Sequence, residues 1–120
     1  MNDFNIFSEA HKEFYEKLEH LPDAAKAQYR MCGGLWGLFK ISSAEGRKTT
    51  LGQKVECIRS MVAGGISEHT IRMAFFYVAQ SKGYTIAYAV ADYEEQMQRF
   101  EWAEVDLATL PLILPPEQEV

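Results

Sequence analysis

The chain is poor in the residues that staple, stiffen or anchor a protein. Its 120 residues hold two cysteines, Cys32 and Cys57, and neither lies in a CxxC or Cys/His spacing. That scarcity excludes a disulfide-built scaffold and supplies no metal-ligand set. The expectation is two buried thiols in a cytoplasmic chain, with no metal or other cofactor. Of the four prolines, three (Pro111, Pro115 and Pro116) fall in the last ten residues, so Pro22 alone punctuates the rest. No window holds eighteen uninterrupted apolar residues, and no membrane span is expected. The opening "MNDFNIFSEAHKEF" lacks the basic-then-apolar layout of an export signal. No cysteine or serine has an activating base at a recognisable spacing, so neither catalysis nor a small-molecule substrate is expected. Gly33, Gly34 and Gly37 lack the GxxxxGK[ST] spacing of a phosphate loop.

What is present is helical periodicity. Phe4, Phe7, His11, Phe14, Leu18 and Leu21 step by three and four along one face, with Asn2 or Asp3 as cap and Pro22 as stop. A second helix starts at Pro22-Asp23 and breaks at Gly33-Gly34. "LWGLFKI" is apolar almost all round and reads as a short buried helix, and residues 42–50, "SSAEGRKTT", read as a polar loop. Thr50 caps a helix over 51–63 with Val55, Ile58, Met61 and Val62 inward. Ser67 caps the next, which ends at Gly83. Residues 84–91 alternate like a strand, yet Ile86, Val90, Tyr93, Met97 and Phe100 keep helical steps and Thr85 can cap them. The fold expected is a mainly all-α, compact bundle of five or six helices over residues 1–106. The alternative is an α+β chain with a short strand or wing at 84–91. The tail over 107–120 is expected to be extended because of its prolines. Its Leu107, Leu110, Leu112, Ile113 and Leu114 are expected to pack on the domain, on a second copy or on a protein partner.

Net charge is −5, unevenly spread. Residues 40–83 hold seven basic and three acidic side chains, whereas residues 84–120 hold Arg99 alone against eight acids. An acidic chain does not coat nucleic acid nonspecifically, but its basic middle can offer a local face. Glu94, Glu95, Glu101 and Glu104 form an acidic helix face that reads as solvated, or as a surface for a basic protein.

Inside the basic middle lies "MVAGGISEHTIRMA", residues 61–74. A glycine ends one helix, Ile66 plugs the corner, Ser67 starts the next helix, and Ile71 and Ala74 face inward. Over about 20 residues this order resembles the helix-turn-helix motif. The resemblance implies a DNA-binding transcriptional regulator, dimeric because one motif reads a half-site. Ser67, Glu68, His69 and Arg72 would stand at the groove, with Arg47, Lys48, Lys54 and Arg59 on phosphates. Two features oppose it. Met61 stands where a small residue eases helix crossing, and "MAFFYVA" (73–79) is apolar on every side, as in a central core helix. The competing expectation is a non-catalytic interaction module or inhibitor acting through the apolar tail and the acidic C-terminal face. Size and composition suit a small accessory regulator of bacterial or phage type.

Overall fold

The computed structural model describes the backbone of residues 3–113 and the side chains of residues 5–101. Six helices follow one another: α1 (Asp3–Leu18), α2 (Asp23–Met31), α3 (Gly34–Phe39), α4 (Leu51–Ala63), α5 (Glu68–Ser81) and α6 (Ile86–Ile113). The all-α bundle is therefore the architecture, and no strand occurs among the described residues. The alternative of a strand or wing at 84–91 is corrected. The Thr85 hydroxyl accepts the Tyr88 N–H at 3.2 Å and starts α6 there. Alternation in "YTIAYAVA" came from alanines, which cover little area on either face and favour helix.

Local chemistry explains the other ends. Thr50 and Gln53 form a reciprocal capping box at the head of α4, and Ser67 accepts the Thr70 N–H at the head of α5. After α5, the Gly83 N–H bonds Gln80 O and the Tyr84 N–H bonds Ala79 O, a double closure that needs the positive φ of Gly83. α1 stops at Leu18, before Pro22, although Leu21 still turns into the core.

The core is built mainly of rings. Phe14, Phe39 and Phe75 are fully buried, and Phe39 meets Phe75, Tyr93 and Phe100 with centroids 4.9–6.1 Å apart. α5 runs through the middle, with α1, α3 and α6 packed around it. α6 docks through Ala89, Tyr93, Gln96 and Phe100, and through an ion pair at 2.9 Å between Lys40 and Asp92. Val62 is a correction. It is about half exposed, while Lys54 and Cys57 take the inward positions on α4.

The helix α6 continues to Ile113, and the tail expected over 107–120 lies outside the described side chains. Leu107, Leu110, Leu112, Ile113 and Leu114 lie outside the described side chains. Among the described residues no helix is long and apolar enough to cross a membrane.

Candidate functional site

The corner between α4 and α5 is built almost wholly by the main chain. The Ile66 N–H reaches Met61 O and the Gly65 N–H reaches Val62 O, both at 3.0 Å. This pair of bonds caps the exposed carbonyls of α4 and places Gly65 at φ +102°. It also turns Ile66 back onto Met61, and both are fully buried. Met61 is therefore the contact that closes the cap. Glycine, plug and cap follow from ending one helix and beginning another.

Around this corner the neighbours take up most of the polar groups. From α1, the Lys17 ammonium donates to the Gly65 carbonyl at 3.3 Å and pairs with Glu13. Ser67 is engaged with Thr70. Glu68, on the exposed side of α5, accepts a hydrogen bond at 2.9 Å from the Tyr93 hydroxyl of α6. Burial, with Glu68 next, pushes the Tyr93 phenol well above its usual range. That leaves His69, exposed, and Arg72, half-buried, whose nitrogens lie 3.4 Å apart. Arg72 Nε is buried with no hydrogen-bond partner. From Thr70 to Gln80 no residue of α5 is fully exposed.

The remaining basic residues divide between the 40–50 loop and α4. Arg47 folds back to donate to the Ser42 carbonyl of its own loop, and Lys48 is exposed beside it. Arg59 lies exposed on α4. Lys54 is only 2% exposed, and its ammonium donates to Gly46 O, Thr49 O and the Thr49 hydroxyl at 2.6–3.0 Å. Its three hydrogens are spent inside the protein, and burial lowers its pKa. A phosphate contact from Lys54 would require dismantling the 40–50 loop. Sequence spacing had no means of showing this, because an irregular loop supplies the acceptors.

Cys57 lies within hydrogen-bonding reach of Cys32, and both thiols are free and buried. His11 is half-buried between the rings of Tyr15 and Tyr77, at 4.8 and 4.5 Å, and burial lowers its pKa. The described residues contain no group of three or more candidate metal ligands.

The outward face of α6 was legible only in part. Ala87, Tyr88, Ala91, Glu94, Glu95, Gln98 and Glu101 are all exposed, with Tyr88 the most exposed large ring among the described residues at 66%. Its acids stood out in the sequence. Tyr88 did not, because the strand pattern placed it beside Ile86 and Val90. No family model, curated protein or solved structure matches the chain.

Proposed function

We propose that the protein acts without catalysis, as a helical interaction module whose contact surface is the outward face of α6. The observation that carries this reading is the composition of that face. Tyr88 and two alanines form a small apolar centre, and Glu94, Glu95 and Glu101 extend it with a net negative charge, Glu95 being paired with Arg99 at 3.2 Å. An exposed tyrosine within a charged border is the arrangement that protein interfaces favour, and the acids steer a basic partner toward it. A photoreactive side chain in place of Tyr88 should crosslink a discrete protein in the native cell. Reversing Glu94, Glu95 and Glu101 to lysine together should remove that crosslink. A crosslink that persists after the reversal, or no crosslink at all, would count against the reading.

A second reading has an observation of its own. His69 and Arg72 sit together at the head of α5, directly after the Gly65–Ile66–Ser67 corner. On this reading the protein is a DNA-binding regulator that touches the groove with this tip alone, Arg47, Lys48 and Arg59 adding phosphate contacts. Arg72→Ala should then weaken duplex binding by about 1–3 kcal/mol, and affinity should fall steeply with salt. Absence of duplex binding at low salt removes this reading and leaves the first untouched.

A further inference from the structure

Beneath the 40–50 loop, four side chains form a chain of contacts that neither reading above uses. The Lys54 ammonium donates to the Thr49 hydroxyl at 2.6 Å. The Thr49 hydroxyl, its oxygen already accepting from lysine, has its proton to give to the Cys32 sulfur. On another side the Cys57 thiol hydrogen-bonds the same sulfur. Cys32 Sγ also lies 3.8 Å from Gln53 O, its acceptor when the thiol is protonated. The two buried thiols thus lie within hydrogen-bonding reach, Cys32 has two donors beside it, and a cation closes the chain.

We propose that Cys32 and Cys57 are a redox-active pair: a hydroperoxide oxidises Cys32, and Cys57 then closes an intramolecular disulfide between the end of α2 and the middle of α4. In the first step the Cys32 thiolate attacks one peroxide oxygen. An S–O bond forms, the O–O bond breaks, and the leaving alkoxide or hydroxide takes up the proton that the thiol released. Cys32 is oxidised by two electrons to a sulfenic acid, and the peroxide is reduced. In the second step the Cys57 sulfur, giving up its proton, attacks the Cys32 sulfur. The S–S bond forms, the S–O bond breaks, and hydroxide departs with that proton as water.

The surroundings divide the roles. The Cys57 thiol lowers the Cys32 pKa most, burial opposes it, and the Thr49 hydroxyl and Lys54 charge lower it further, to about 7. The same contact with Cys32, together with burial, pushes the Cys57 thiol up. Cys32 is therefore the attacking group and Cys57 the resolving one. The α2 dipole disfavours an anion at its C-terminal end, so these donors carry the stabilisation. Both sulfurs are fully buried, which screens them from bulky thiol reagents. A cavity of about 160 Å³ lined by Gly46, Thr49, Lys54 and Gln96 reaches the Thr49–Lys54 end of the chain of contacts. A water-sized guest needs only about 15 Å³, so a hydroperoxide fits there.

The test uses the full chain, reduced and then exposed natively to a few equivalents of hydrogen peroxide. Intact mass and peptide mapping should show a monomer lighter by two hydrogens with Cys32 linked to Cys57, reversed by a dithiol reductant. In Cys57→Ser the reaction should stop at a Cys32 sulfenic acid, read in the intact mass as the gain of one oxygen on the Cys32 peptide. Thr49→Val should slow loss of the Cys32 thiol about tenfold, as expected for one donor's share of thiolate stabilisation, and Thr49→Ser should restore the rate. Thiols that stay reduced while the chain is folded and react only in urea would overturn the proposal. So would disulfides formed only between chains, or an unchanged rate in Thr49→Val.

Discussion

Two glycine doublets turn the chain between helices, and they do so for different reasons. At Gly64-Gly65 the main chain caps itself and Ile66 fills the angle, and a Cβ on Gly65 would meet nothing within 4 Å. At Gly33-Gly34 both residues have positive φ, and side chains complete the corner. The Tyr29 hydroxyl accepts the Leu35 N–H at 3.3 Å and shares a 2.7 Å hydrogen bond with Tyr15. One turn later Gly37 lies so close to α2 that an added Cβ would stand 1.9 Å from the Cys32 carbonyl oxygen. Both corners also need space, but of different kinds: a Cβ on Gly64 would stand 2.1 Å from the movable end of the Leu21 side chain, whereas the obstacle at Gly37 is main chain.

The largest effect should come from Gly37→Ala, which drives α3 off the end of α2. A loss of more than about 3 kcal/mol is expected in urea unfolding, because the obstacle is backbone and cannot rotate away. A loss below about 1 kcal/mol would show that the close approach is not required. Next, Tyr29→Phe strips the buried Leu35 N–H of its acceptor and should cost about 2 kcal/mol by the same measurement. If it is neutral, the corner caps itself as the other one does. Gly65→Ala should cost about 1–2 kcal/mol from strain alone, and Gly65→Asn less, since asparagine tolerates the left-handed region. Equal costs for the two variants would break the assignment of Gly65 to backbone angle.

The smallest expected effect concerns His11, which sits on α1 away from both corners. Burial lowers its folded pKa below 6.5. As pH falls through 6.5 the unfolded chain takes a proton first, so this group's contribution to stability declines toward acid. Urea midpoints at pH 7.5 and 5.5 should differ less for His11→Gln than for the unchanged chain. An identical pH response in both would contradict the burial effect.

Legibility followed the same division. Thr50, Ser67, Thr85 and Gly65 were readable because capping is decided within a few residues. The seam of Phe7, His11, Phe14 and Leu18 was readable because a helix face repeats. Lys54 and Cys57 were not, since their partners lie in a loop and at the end of another helix. Of the side chains expected on DNA, Lys54, a phosphate candidate, is inside and Glu68, a groove candidate, is held by Tyr93, while His69 and Arg72 remain together at the tip. No local spacing encodes the Tyr93–Glu68 bond, which spans 25 positions between two helices.

Lys54 also constrains how the 40–50 loop can vary. It grips mainly carbonyl oxygens, at Gly46 and Thr49, and those atoms are present whatever side chains the loop carries. Residues such as Ser42, Ala44 and Lys48 are thus free to drift in identity while the path of the chain is held from below. Length is another matter, since one added residue between Gly46 and Thr49 would move a carbonyl out of reach. In a family descended from this chain, substitutions would accumulate in this segment and insertions would be rare.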